Sequence, residues 1–266
     1  MNVILKKLAA SAVVALLSGT TALAAHAADL LDTVKARGVL SVGTEGTYPP
    51  FTFKTPSGQL QGYDIDVANA VAAKLGVKTQ FVTTEWSGII AGLQAGKYDV
   101  IFNQVGATAQ RRQVLDFSVP YTYSIGQLVQ RRDDSRQFDS LASLKGHKLG
   151  VSLGSNYHDM AKAVPGIEVR TYPGAPEYLS DLVAKRVDAV LNDRLMLAYL
   201  IKKSALPLRP GGTVGEPTQM SVPFRKGNPK FQKAIDDALL SLKQDGTLKK
   251  LSEKWFGMDV SQPVKQ

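Results

Sequence analysis

Two ten-residue segments of the sequence, 95–104 and 184–193, have the same pattern. Each places a basic residue before an aspartate, then a short apolar run that ends in asparagine and one more polar residue. Segments 39–44 and 148–155 form a second matching pair, because each runs from apolar residues into glycine and a hydroxyl residue. Short apolar runs between helix-like segments are typical of buried strands. The repetition therefore predicts an α/β protein of two similar lobes, with mostly parallel sheets whose strand ends face one another.

Local signals predict the helices and strands around these segments. Apolar residues at a spacing of four predict a helix that begins near Tyr63 and ends at Gly76. Ser87 has the chemistry of an N-cap, so the helix that stops at Gly96 is predicted to begin after it. Further helices are predicted over 31–36, 229–243 and the stretch that runs through Trp255, and strands over 39–43 and 77–83.

Two extended segments, 124–129 and 219–224, are predicted to connect the lobes. They divide the chain into a first lobe over 28–124, a second lobe over 125–220 and a C-terminal return to the first lobe over 221–266. The chain is long enough for two α/β units of this size, and each can bury a core of its own.

The first 27 residues have the pattern of a secretion signal. Lys6 and Lys7 precede a mainly apolar stretch, and Ala25 and Ala27 flank His26 as in an A-x-A cleavage site. This pattern predicts export and cleavage near Ala27. Because no cysteine follows, a lipid anchor on that residue type is not expected, and the mature protein is predicted to be soluble.

The composition argues against several classes of function. The formal charge is +9, but basic and acidic residues alternate closely, so neither a nucleic-acid surface nor a membrane surface is expected. His147 and His158 lack the spacing of a zinc site, and no phosphate loop or dinucleotide motif is present. With no cysteine and no serine in a nucleophile elbow, the sequence predicts neither a metal, nor a cofactor, nor a covalent catalyst.

Arg111 and Asp193 are the strongest candidates for a binding site. Arg111 follows the strand end at 100–104, and Asp193 closes the matching segment of the second lobe. A guanidinium and a carboxylate on opposite walls of a cleft would bind the carboxylate and the ammonium of a zwitterion. Taken singly, Arg111 could equally be a surface residue and Asp193 a helix cap.

The sequence resembles the polar amino-acid-binding proteins of ABC importers, solute-binding family 3, and within them the cystine-binding proteins. The resemblance covers essentially the whole mature chain and lies in six ordered motifs, at 43–51, 62–67, 103–121, 153–157, 188–193 and 244–257. It implies a type II periplasmic-binding-protein fold, in which two lobes close by hinge motion around one ligand.

The resemblance also implies roles for individual residues. Arg111 would bind the ligand α-carboxylate and Asp193 the α-ammonium. Further hydrogen bonds would come from Gln104, Gly106, Ser155 and Asn156, and the ligand side chain would lie between Tyr48 and Trp86. One position departs from the pattern, because relatives often have threonine or serine where this chain has Gly106.

Glu45 is the candidate for selectivity. A carboxylate beside Tyr48 could bind a cationic group at the far end of the ligand, as cystine, lysine and arginine each have. The alternative is an ordinary solvated loop glutamate. Cystine is therefore the ligand that the resemblance favours, with lysine, arginine, histidine or glutamine as alternatives.

The expected function is that of a monomeric periplasmic protein that delivers an amino acid to an inner-membrane permease, without catalysis. Two other functions remain open at this stage. Some proteins of this fold are cyclohexadienyl dehydratases, in which an acid such as Glu45 would donate a proton. A ligand sensor that reports to a receptor would have the same sequence features.

Overall fold

The computed structural model describes residues 28–203 and 206–263. The predicted secretion signal, 1–27, lies outside these residues. The helices are α1 (Leu30–Arg37), α2 (Tyr63–Lys74), α3 (Trp86–Gln94), α4 (Ala109–Arg112), α5 (Asn156–Lys162), α6 (Ala175–Val183), α7 (Arg194–Lys203), α8 (Pro229–Gln244) and α9 (Thr247–Phe256). A short 3-10 helix covers Ala142–Leu144.

The strands are β1 (Val39–Thr44), β2 (Thr47–Tyr48), β3 (Thr52–Lys54), β4 (Leu60–Gln61), β5 (Lys78–Thr83), β6 (Val100–Ile101), β7 (Leu115–Phe117), β8 (Thr122–Arg131), β9 (Lys148–Ser152), β10 (Glu168–Tyr172), β11 (Ala189–Asp193), β12 (Leu208–Met220) and β13 (Pro223–Arg225). They form two five-stranded sheets, and the short strands β2, β3 and β4 form a third sheet. No helix within the described ranges is long and apolar enough to span a bilayer.

The two large sheets have the same topology, which confirms the prediction of two similar α/β lobes. The first has the strand order β5-β1-β6-β13-β7, and the second has the order β10-β9-β11-β8-β12. In each sheet the central parallel strand, β1 or β9, lies between two parallel neighbours. Helices α2 and α3 pack on β1, while α5 and α6 pack on β9.

The prediction of mostly parallel sheets is wrong for half of each sheet. Strands β13 and β7 pair antiparallel in the first sheet, and β8 and β12 pair antiparallel to their neighbours in the second. Parallel pairing needs a crossover connection of a dozen or more residues. β8 and β13 instead enter their sheets directly from the other lobe, without a helix, and so they lie antiparallel to β11 and β6.

The two connections between the lobes run side by side. The backbone leaves the first sheet after Phe117 and enters the second at Thr122, so segment 124–129 lies within β8. It returns after Met220, which pairs with Thr122. The C-terminal segment also contacts this region, because the Tyr123 N–H donates to the Val260 carbonyl at 2.9 Å.

The core supports the strand ends that face the other lobe. Val42, Val100 and Phe224 are fully buried in the first sheet, and Leu149 and Val190 are fully buried in the second. Burial of one such side chain stabilises the fold by roughly 1.5–3 kcal/mol. The carboxyl ends of β1, β6, β9 and β11 are thus held on rigid supports.

One predicted helix boundary is wrong. Helix α3 begins at Trp86 with Glu85 at the N-cap position, so Ser87 is inside the first turn and does not cap it. The Ser87 N–H donates instead to the Pro173 carbonyl of the second lobe, at 3.3 Å. This N–H, one of the free N–H groups of the first helical turn, thus has its acceptor in the other lobe and not in a capping side chain.

Candidate functional site

A cavity lies between the two lobes, at the carboxyl ends of their strands. Interfaces between α/β units are preferred positions for small-molecule binding sites. Both lobes and the connecting strand β12 supply its wall, which is formed by Glu45, Tyr48, Trp86, Asn103, Gln104, Ser152, Ser155, Asn156, Tyr157, Asn192, Asp193 and Met220.

Seven of the nine residues proposed from the sequence line this cavity: Glu45, Tyr48, Trp86, Gln104, Ser155, Asn156 and Asp193. Gly106 and Arg111 lie beside it and are not part of its lining. Sequence reasoning missed five lining residues: Asn103, Ser152, Tyr157, Asn192 and Met220. Three of these, Asn103, Tyr157 and Asn192, belong to motifs already recognised. Their position next to candidate residues in the sequence could have identified them as lining residues.

Asp193 ends β11 inside the cavity wall and is 1% exposed. Its Oδ1 accepts the Leu195 N–H at 2.8 Å and thereby caps α7. Its Oδ2 is buried and accepts no hydrogen bond of good geometry among the described residues, although the Ser124 and Tyr157 hydroxyls lie close to this carboxyl. Burial raises the pKa of this carboxyl to about 6. An unpaired buried carboxylate oxygen is costly, and a bound ammonium group would offset that cost.

Arg111 presents a partly buried guanidinium beside Trp86. The Thr108 hydroxyl accepts the Arg111 N–H at 3.3 Å and caps the short helix α4. The guanidinium lies 5.4 Å from the centre of the Trp86 ring and donates to the carbonyls of Gly106, at 3.0 Å, and Gly154, at 3.1 Å.

The charge of this guanidinium has no ionic partner within residues 28–203 and 206–263. No carboxylate of the described residues lies within 4.0 Å of it. Burial lowers the pKa of Arg111, although a guanidinium keeps its charge at any physiological pH. Its remaining N–H donors are therefore suited to an anion.

Gln104 is fixed by a buried aspartate behind the cavity. Its backbone has φ of 51°, an uncommon conformation for a residue with a side chain. The backbone N–H donates to Asp64 Oδ2 at 2.9 Å, and Nε2 donates to Oδ1 at 2.7 Å. Gln104 Oε1 has no partner among the described residues and remains an acceptor. Burial raises the pKa of Asp64 to about 7.

Glu45 is buried at the edge of the first lobe and is not a solvated loop residue. It is 7% exposed, and Asn103 Nδ2 donates to its Oε2 at 2.5 Å. The Asn103 side chain also accepts the Glu45 N–H at 2.8 Å, which fixes the loop after β1. Burial raises the pKa of Glu45 to about 7, and the charge of Glu177 acts in the same direction.

The two lobes contact each other across the cavity. The Tyr48 hydroxyl of the first lobe donates to Asn192 Oδ1 of the second at 2.7 Å. The bond from Arg111 to Gly154 and the bond from Ser87 to Pro173 also join the lobes. The structure therefore represents a closed arrangement.

Gly106 has no room for a larger side chain in this arrangement. It forms an isolated bridge with Met220, and a Cβ at this position would lie 2.9 Å from Thr218 Cγ2. The space that a hydroxyl-bearing side chain would use is thus partly filled by Thr218.

The family described as bacterial extracellular solute-binding proteins, family 3, matches residues 40–258. The chain is 41% identical over 249 residues to the L-cystine-binding protein TcyJ of Escherichia coli K12, covering 93% of this chain and 94% of that one. It is 40% identical to the L-cystine-binding protein TcyA of Bacillus subtilis 168, covering 88% of this chain and 87% of that one. An ancestral arginine-binding protein solved with arginine superposes with a TM-score of 0.79 at 40% identity, covering 83% of this chain and 99% of that one.

Proposed function

The chain belongs to the bacterial extracellular solute-binding proteins of family 3, and from this membership we propose that it binds an L-amino acid between its lobes and delivers it to the permease of an ABC importer. The observation that carries the proposal is the buried Asp193 Oδ2, an unpaired acceptor in the wall of an interlobe cavity. The proposal includes export to the periplasm, a single protein chain as the working unit, and binding without catalysis.

In the proposed complex each end of the amino-acid backbone has its own partner. The α-ammonium donates to Asp193 Oδ2, and the α-carboxylate accepts from the free donors of Arg111. Gln104 Oε1, Ser155 and Asn156 supply further polar contacts, and Tyr48 and Trp86 flank the ligand side chain. Both charged contacts are buried on closure, so ligand binding favours the closed state.

We propose L-cystine as the ligand. The two cystine-binding relatives support it, and so does Glu45, a buried carboxylate of the cavity lining that would accept the second ammonium. Arginine or lysine is the second candidate, because the same carboxylate suits a side-chain cation and a structural neighbour was solved with arginine.

The moving parts of the proposed mechanism are the two lobes. Residues 28–124 with 221–266 would form one rigid unit and residues 125–220 the other. The paired crossings around Thr122 and Met220 would bend between them.

The test is a thermal-shift screen of the chain without residues 1–27 against the amino acids and cystine, followed by calorimetry of each ligand that raises the melting temperature. A ligand at a hundred times its Kd stabilises by about 2.7 kcal/mol. Arg111→Ala is expected to weaken binding by about 2–5 kcal/mol, because a buried charge loses its partner. Asp237→Asn, an exposed site far from the cavity, serves as the control and should bind like the wild type.

The result that contradicts the proposal is a wild-type protein whose melting temperature no amino acid changes. Incubation with prephenate or arogenate then distinguishes the dehydratase alternative, because that reaction creates a new aromatic absorbance. The burial of Glu45 and its raised pKa are the features that such an enzyme could use.

A further inference from the structure

Glu177 of the second lobe converges with Glu45 of the first lobe at the N-terminus of α6. Glu177 lies outside the cavity lining and is solvent-exposed, on the first turn of α6. Its Oε2 and the Oε1 of Glu45 each lie 3.4 Å from a single point, the position that a Cβ would take on Gly174. The two carboxylates are therefore within about 7 Å of each other.

Neither carboxylate forms an ion pair with a basic side chain in the described part of the chain. Neither carboxylate lies within 4.0 Å of a lysine, arginine or histidine of the described residues. Within those same residues, Glu45 Oε1 receives no hydrogen bond, since Asn103 binds only Oε2. Two like charges at the edge of the cavity repel each other, and a cation between them would convert that repulsion into attraction.

The position of Glu177 in its helix explains only part of this geometry. Glu177 is the third residue of α6, where a carboxylate offsets the unpaired N–H groups of a helix N-terminus. That role explains why Glu177 lies close to Gly174. It does not explain why Glu45, which comes from the opposite lobe, also lies there. Glutamine serves at the same helix position, so a substitution can separate the two roles.

We infer that Glu177 is a second specificity-determining residue, which joins Glu45 in binding the cationic group at the far end of the ligand. The absence of a side chain at Gly174 leaves space at the point where the two oxygens converge. Because the carboxylates come from different lobes, this site is complete only in the closed protein. The inference rests on the proposed function.

The experiment measures the dependence of binding on the distal ammonium alone. Calorimetry compares L-cystine with the mixed disulfide of L-cysteine and 3-mercaptopropionate, which keeps every group of cystine except the second ammonium. Glu177→Gln is expected to weaken cystine binding by about three- to fivefold, the range of an exposed ion pair, and to leave the mixed disulfide unchanged. Glu168→Gln, an exposed acid of the same lobe, removes the same charge away from the cavity and should change neither ligand.

Two results would overturn the inference. One is cystine binding that Glu177→Gln does not weaken while Glu45→Gln does. The other is an equal loss for cystine and the mixed disulfide, which would indicate a role in the helix only. Gly174→Ala is the second variant: its methyl group would occupy the point of convergence, at an ordinary contact distance from both oxygens, and should weaken cystine more than the mixed disulfide.

The inference and the proposed function fail in different ways. If the wild type binds no amino acid at all, the proposed function fails and the inference falls with it. If the wild type binds cystine and Asp193→Asn abolishes binding, the proposed function stands whatever Glu177→Gln does. If lysine binds and cystine does not, L-norleucine replaces the mixed disulfide as the ligand without a distal ammonium.

Discussion

The strand ends on the two sides of the cavity share one sequence of elements, a buried strand followed by asparagine and a second polar residue. They differ in the hydrogen bonds that the second polar residue makes. β6 leads into Asn103 and Gln104, and β11 ends in Asn192 and Asp193. Each asparagine accepts a backbone N–H beside the cavity. The next residue differs, because Gln104 is held by two hydrogen bonds to a buried acid, whereas Asp193 is itself the buried acid and keeps one oxygen unpaired.

Each lobe thus buries one aspartate close to its strand end and uses it differently. Asp64 accepts a hydrogen bond on each oxygen and fixes the unusual backbone of Gln104. Asp193 uses one oxygen to cap α7 and leaves the other for the cavity. Burial alone therefore does not distinguish the two acids, whereas the number of satisfied carboxylate oxygens does.

Of the substitutions considered, Asp193→Asn is expected to weaken ligand binding the most. Asp193→Asn keeps the oxygen that caps α7 but removes the charge. Binding should weaken by about 2–5 kcal/mol, as for other buried charge pairs that lose one partner. The free energy of unfolding without ligand should not fall, because a buried, poorly solvated charge is removed. Calorimetry and urea denaturation measure the two quantities, and a stability loss with intact binding would reverse the assignment of roles.

The matching change at Asp64 should act on the fold. Asp64→Ala leaves the buried Gln104 N–H without its acceptor and leaves Nε2 with only its longer bonds to the Thr122 and Tyr121 hydroxyls. The free energy of unfolding should fall by about 1–3 kcal/mol, which is the cost of unsatisfied buried groups. Ligand affinity should change far less than in Asp193→Asn, which is the comparison to make in parallel. Unchanged stability in urea denaturation would mean that Gln104 finds other partners, of which the Thr122 hydroxyl, 3.3 Å from Nε2, is the nearest.

Much of this comparison was visible in the sequence. The repeated pattern at 95–104 and 184–193 predicted both the common topology and the polar residues at the strand ends, because apolar runs and their ends are local features. Helix α8 begins at the predicted residue and ends one residue late. Seven of nine candidate residues line one cavity, and most of these were identified through the family resemblance and not through the repeated pattern.

What the sequence did not predict depends on contacts between distant residues. Helix α3 begins before Ser87, and the Ser87 N–H of its first turn donates to the other lobe, a contact that local capping rules do not describe. The antiparallel strands follow from the route of the chain between lobes, which no local pattern encodes. The pairing of Asp64 with Gln104 and the approach of Glu177 to Glu45 both join residues far apart in the chain.

The third prediction separates two acids whose pKa values burial raises to about 7. Stability that depends on protonated Asp64 or Glu45 is present at low pH and is lost as the pH rises from about 4 through about 7. A cationic group binds only ionised Glu45, so affinity should rise with pH and be about tenfold lower one unit below its pKa.

Glu45→Gln isolates the contribution of Glu45 to this pH dependence. In that variant, affinity measured by calorimetry should be nearly flat between pH 6.5 and 8, whereas the ligand-free melting temperature should still fall with rising pH because Asp64 is retained. Affinity that keeps the full wild-type pH profile in the variant would remove Glu45 from contact with the ligand.

Two tyrosine substitutions, each with a small expected effect, compare a hydrogen bond across the cavity with a hydrogen bond inside the second lobe. Tyr48→Phe removes the hydrogen bond from the first lobe to Asn192 Oδ1, which still accepts the Asp193 N–H at 2.6 Å. The closed state should lose about 1 kcal/mol, seen as roughly fivefold weaker binding with little change in ligand-free stability. Tyr178→Phe is the matched control, because it removes the bond between Tyr178 and Asn192 Nδ2 inside the second lobe. It should lower the melting temperature without a specific loss of affinity, and equal effects of the two variants on affinity would mean that the cross-cavity bond does not contribute to closure.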